Sequence, residues 1–184
     1  MQSIKKIFVL AAMLTTIFST CHADAIKISN ISAEQFLQNM RNVLYSEDVQ
    51  KNFPIAITDL KRGTNDLTEY NLKVWAAYFG KQGETQPDGE ITFYVDSTNC
   101  VHTVKITLKE NDNSAAEYSN VFAAVCNTIG LTRDEGLKLL SGGKSEEQGF
   151  YHSEVERDNK VFFVITAFEQ DLTRTLFIAG EKDS

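Results

Sequence analysis

The hydrophobic period of this chain switches from helical to two-residue spacing and back, and nothing else constrains its fold as strongly. Ser32 with Gln35 forms a capping box, and Ile31 can staple onto Phe36 across it. Behind the cap, Phe36, Leu37, Met40, Val43 and Leu44 recur at helical spacing and make one apolar stripe. Ser114 with Glu117 repeats the box, followed by a stripe of Tyr118, Val121, Phe122, Val125, Cys126 and Ile129, with Gly130 placed as a left-handed cap. Thr132 with Glu135 opens a third, short helix through Leu137 and Leu140, ending at Gly142-Gly143.

Between and after these helices lie period-two runs. Leu67 to Phe79 alternates, and Tyr70, Leu72, Val74, Ala76 and Tyr78 are the expected core face. Ile91, Phe93 and Val95 continue the pattern, and Cys100, His102, Val104, Ile106 and Leu108 share one side of a further strand. Three more strands are expected near Phe150–Glu156, Lys160–Phe168 and Leu172–Ala179, joined by tight polar turns at Asp158-Asn159 and around Gln170-Asp171. The order helix, three strands, two helices, three strands predicts an α+β domain. The expected form is a two-layer sandwich with an antiparallel sheet of about six strands, helices on one face, and two halves that resemble one another as α-β-β-β units without being a true repeat.

Residues 1 to 23 stand apart. Lys5 and Lys6 precede an uncharged apolar run from Ile7 to Phe18, which is shorter than the roughly 20 residues of a spanning helix. Ser19 to Ala23 is polar and ends on a small residue, so the segment has the three-part layout of a secretory signal, cleaved after Ala23 or Ala25. Residues 24 to 184 form the expected single domain, periplasmic or secreted, from a bacterial chain. Cys21 lacks the Leu and Gly or Ala that usually precede a lipidated cysteine, since Phe18 and Thr20 hold those places. No later stretch approaches membrane length.

The 184 residues carry 18 Lys+Arg against 25 Asp+Glu, a net charge of −7. Loss of Lys5 and Lys6 with the leader would remove two positive charges and take this to −9. Such a balance argues against nucleic acid as a partner, because phosphate neutralisation supplies most of that affinity. It would instead steer the protein toward a basic partner. In an oxidising compartment the two remaining cysteines, Cys100 and Cys126, are expected to pair and tie helix to sheet, stabilising by roughly 3–4 kcal/mol. The competing reading makes Cys100 a nucleophile beside His102, but Cβ atoms two apart on a strand sit about 7 Å from each other.

Signatures of catalysis are weak. Gly142-Gly143-Lys144-Ser145 lacks the first glycine of a phosphate loop, whose place is held by Lys138. His102, His152 and Glu154 could be proposed as zinc ligands, but no metal-binding spacing joins them, and neither a metal nor a cofactor is expected. The acidic pairs Glu47-Asp48, Glu146-Glu147 and Glu154 with Glu156 read as a solvated surface. The most informative feature is aromatic. Trp75 and Phe79 stand opposite the expected core face of the first long strand, and Tyr94 stands opposite Ile91, Phe93 and Val95 on the next. Apolar area on an uncovered sheet face marks a binding surface. The expectation is a non-enzymatic exported binding module that recognises a protein partner through Trp75, Phe79 and Tyr94, as an immunity protein or enzyme inhibitor would. The alternatives are an envelope hydrolase with acidic catalytic residues, or a carrier of a small apolar ligand.

Overall fold

The computed structural model describes residues 27–108, 115–141, 144–147, 150–168 and 172–181. The expected signal segment, Cys21, the cap residue Ser114, Gly142-Gly143 and the turn at Gln170-Asp171 lie outside these residues. The fold is α+β, with helices packed on an antiparallel sheet.

The helices are α1 (Ala33–Leu44), α2 (Glu47–Asn52), α3 (Ala115–Thr128) and α4 (Arg133–Ser141). Two form where the capping chemistry places them. The Ser32 hydroxyl accepts from the Gln35 N–H at 3.3 Å. At α4 the box is reciprocal, since Thr132 Oγ1 accepts from the Glu135 N–H while the Glu135 carboxylate takes the Thr132 N–H at 2.6 Å. Those bonds, together with Arg157 at 2.9 Å, hold the Glu135 carboxyl below the usual carboxylate range. Gly130 has φ +82 and closes α3 in the left-handed region. The stripe of α4 differs from expectation: Leu137 is exposed, while Gly136 and Leu139 face inward. Three apolar positions in a short helix fit two neighbouring faces, and packing against α3 selects one.

The strands are β1 (Ile55–Ile57), β2 (Lys61–Arg62), β3 (Lys73–Lys81), β4 (Gly89–Val95), β5 (Val101–Leu108), β6 (Lys144–Glu147), β7 (Phe150–Arg157), β8 (Lys160–Phe168) and β9 (Leu172–Glu181). They form one nine-stranded sheet in the order β1-β3-β4-β5-β9-β8-β7-β6, with β2 also on β3. The six long strands are those expected. Each half is a helix followed, after shorter elements, by a three-stranded meander, and the halves meet where β5 pairs with β9. Asp158 and Asn159 both take positive φ, 50 and 61, as a two-residue hairpin turn of right twist requires.

Short β1, β2 and β6 and the helix α2 escape periodicity because each has too few residues to show one. Their bonds explain their presence. The outward edge of β1 is closed by side chains from α1, α2 and the residue between them. Gln50 donates to the Ile55 carbonyl at 2.9 Å, Tyr45 takes the Ile57 N–H at 3.0 Å, and Arg41 donates to the Ile57 carbonyl at 3.2 Å. An edge strand so closed offers no template for another chain.

One face of the sheet supplies every strand residue of the core cluster, among them Ala77, Phe79, Ile91, Phe93, Val95, Val104, Ile106, Val155, Phe162 and Val164. Helices α1 and α3 lie against that face and each other, and Phe36 meets Phe93 edge to face at 5.6 Å. Helix α4 packs on β7, where the Ser153 hydroxyl donates to the Leu139 carbonyl at 2.6 Å.

Two expectations are corrected here. The core face of β3 is reversed: Trp75 pairs with Phe93, Ala77 with Ile91 and Phe79 with Gly89, so the odd residues face the helices. Alternation cannot choose between faces that are both apolar. Leu72, Val74 and Ala76 are also buried, although they stand outside the core cluster. The second correction concerns the disulfide between Cys100 and Cys126, which does not form; both are free thiols. Tyr94 pairs with Thr103 but Val95 with Val101, so His102 is an extra residue in β5. Such a bulge inverts the alternation on either side of it. Val101 therefore joins the core with Val104, and Cys100 falls in the β4–β5 turn, where its N–H binds the Asp96 carboxylate at 3.0 Å. Cys126 stays on α3, only 2% exposed, against Gly136. Titration with a thiol reagent of a chain beginning at Asp24 should accordingly find one reactive thiol in the native state, Cys100, and a second only after unfolding. A count of zero in the unfolded, unreduced protein would restore the bridge.

Candidate binding site on the open sheet face

The face opposite the helices is read from register. Across it run Val74, Tyr94 and Thr103, then Ala76, Thr92 and Lys105, then Tyr78, Glu90 and Thr107. Further along, Ile165 pairs with His152 and Phe163 with Glu154. Small and β-branched residues here, such as Ala76, Thr92 and Thr103, are buried between taller neighbours. Tyr78, Tyr94, Phe163 and Ile165 keep part of their surface in solvent. Burial first, and then the Glu90 carboxylate, pushes the Tyr94 hydroxyl above its usual 10.0. The same Glu90 accepts from the Thr92 hydroxyl at 2.8 Å.

The three aromatic residues expected to form one patch are not brought together. Phe79 is 1% exposed and belongs to the core. Trp75 lies on the helix side at the sheet edge, half-buried, with the Arg62 guanidinium 5.8 Å from its ring centre. Arg62 is held there by Asp66 at 2.5 Å and by the Val74 carbonyl at 2.7 Å. Arg62, followed by the Val74 N–H, keeps the Asp66 carboxyl below its ordinary range. Tyr94 alone stands on the open face. His102 and His152 lie on β5 and β7, with β9 and β8 between them. Among the described residues no three His, Cys, Asp or Glu side chains gather as metal ligands would.

A groove of about 400 Å3 opens at the corner of the same face. Its walls are β1 and Lys61 on one side, Tyr78 to Lys81 in the middle, and the β3–β4 loop from Glu84 to Pro87 on the other. Lys61 Nζ sits 5.9 Å from the centre of the Tyr78 ring, a cation–π contact. Sequence reading missed this groove because two of its walls come from β1, β2 and a loop, which carry no periodic pattern. The chain matches no protein-family model, no curated protein and no solved structure.

Proposed function

We propose that this protein is an exported, non-enzymatic binding module that recognises a protein partner through the open face of its sheet. The observation that carries the reading is Tyr94. It is an aromatic side chain on the face that gives no residue to the core cluster, half-buried among its neighbours and still partly wet. An aromatic of this kind serves as an interface anchor, because its large apolar area is desolvated at little cost in rotamer freedom. The acidic balance of the chain favours a basic partner and would speed the encounter at low salt. An immunity protein or inhibitor of the bacterial envelope is the sharpest form of this reading, and residues 1–23 are its export signal.

A photo-crosslinking amino acid placed at position 94, and in parallel at exposed Ala123 on α3, tests the proposal in the producing cell. The position-94 chain should be recovered without residues 1–23 and joined to one discrete protein, with the adduct fading as salt rises. Position 123 should give none. No adduct at 94, or equal adducts at both positions, would refute recognition through this face.

A further inference from the structure

We infer that the element of the partner seated on the open face is a basic amphipathic helix, laid along β8. The inference rests on the proposed recognition face and names what that face takes up. Alternation along β8 sends Phe162 and Val164 into the core and leaves Val161, Phe163 and Ile165 on the opposite side, each partly in solvent. Strand pairing sets their neighbours on β7: Glu156 beside Val161, Glu154 beside Phe163 and His152 beside Ile165, with both glutamates exposed. An apolar stripe therefore runs next to an acidic row. On the other flank, the register through Ile165 passes Thr175 and reaches Lys105, two strands and about 10 Å away. The face is thus negative toward β7 and positive toward β5, which fixes the side on which a basic rim lies.

The spacing of the stripe selects a helix. Residues two apart on a strand repeat at about 6.7 Å, and residues four apart on a helix at about 6.0 Å. Apolar side chains at i, i+4 and i+8 of a helix parallel to β8 would each meet one residue of the stripe. Lys or Arg on the adjoining helical row would repeat at the same interval over Glu154 and Glu156. An extended segment fits less well, because β8 is interior to the sheet and offers it no free backbone groups, whereas a helix satisfies its own. Tyr94 stands in the same cross-strand row as Phe163, three strands or about 14 Å away, so a partner seated on β8 continues across the face to reach it.

The probe is a fluorescein-labelled peptide of about 18 residues, leucine and lysine only, with leucine at helical spacing. Fluorescence anisotropy follows its binding to the chain beginning at Asp24. It should bind about tenfold more tightly than the same residues shuffled to remove the period, and about tenfold more tightly than a leucine–glutamate peptide of the same pattern. Phe163→Ala should weaken it about tenfold, as loss of an aromatic anchor does. Ile165→Thr, which keeps the β-branch and so the strand, should weaken it about fivefold and covers the case in which Phe163→Ala fails to fold. Glu154→Gln with Glu156→Gln should weaken it about fivefold at low salt. The exposed pair Glu47→Gln with Asp48→Asn on α2 makes the same change of net charge and should leave affinity within about twofold. Equal binding of the shuffled or the leucine–glutamate peptide, affinity unchanged in the folded stripe variants, or an equal loss in the α2 pair would overturn the helix. Should the position-94 adduct still form in the cell after such a result, the open face stands as the recognition site and only its occupant is refuted.

Discussion

Gly89→Ala is expected to destabilise the protein by about 3 kcal/mol or more, a large effect for one added methyl group. Gly89 opens β4 directly opposite Phe79, whose ring lies over it. A Cβ at position 89 would overlap that ring and stand 2.6 Å from the Thr107 carbonyl oxygen of β5. Neither neighbour can give way. The Phe79 ring is locked in the core, and the carbonyl is backbone of the adjacent strand. Glycine is needed at this point because an aromatic side chain and two strands approach closely, and not for an unusual backbone angle. Urea unfolding of the variant checks the value. The pair Gly89→Ala, Phe79→Leu should recover part of the loss, because the smaller side chain removes one of the two clashes. A loss under about 1 kcal/mol for the single variant would mean that the ring is free to move.

The second large effect is a loss of stability in alkali that traces to one thiol. Burial pushes the Cys126 thiol from 9.0 up to about 12, with the Glu135 carboxylate adding to the rise. A folded-state value raised above the unfolded one gives stability that is complete below pH 9 and is lost as pH climbs toward 12. Over that window only the unfolded chain can release the proton. Full expression of the shift is worth about 4 kcal/mol, at roughly 1.4 kcal/mol per pH unit. Cys126→Ala should therefore flatten the fall in unfolding free energy between pH 9 and 12, whatever it costs at pH 7. The raised Tyr94 hydroxyl adds a shallower decline beginning above pH 10, which persists in the variant. An unchanged slope between pH 9 and 10 would show that the thiol is not held protonated. The same burial keeps Cys126 from acting as a nucleophile, since the thiolate is the reactive form.

The free thiols and the split aromatic patch have a common origin. Both expectations rested on the parity of a strand, and parity is a local rule that one inserted residue or one choice of face can invert. His102 is that residue in β5, and it separates Cys100 from the face of Val104 and Ile106. In β3 the sequence Lys73-Val74-Trp75-Ala76-Ala77-Tyr78-Phe79 is apolar enough on both sides to read either way. The partner strand β4 resolves it, because its only strongly apolar side is Ile91, Phe93 and Val95, and paired residues of an antiparallel ladder share a face. Trp75 then goes toward the helices and Tyr94 away from them.

What the sequence alone determined is everything that neighbouring residues decide among themselves. Capping boxes at Ser32 and Thr132, the left-handed stop at Gly130 and the Asp158-Asn159 turn act over a few bonds, so their residue types predict their geometry. The six long strands and their order along the chain followed from repeated alternation, and the α+β class followed from that order. Tertiary structure decided which face of β3 is buried, where the ladder takes in an extra residue, and which segments too short for any period become edge strands. It also decided that Lys61 comes to rest near the ring of Tyr78, 17 residues away in the chain. These outcomes depend on pairing between residues far apart in the chain, where the free energy of a whole buried face outweighs any local preference, and no short stretch of sequence carries that comparison.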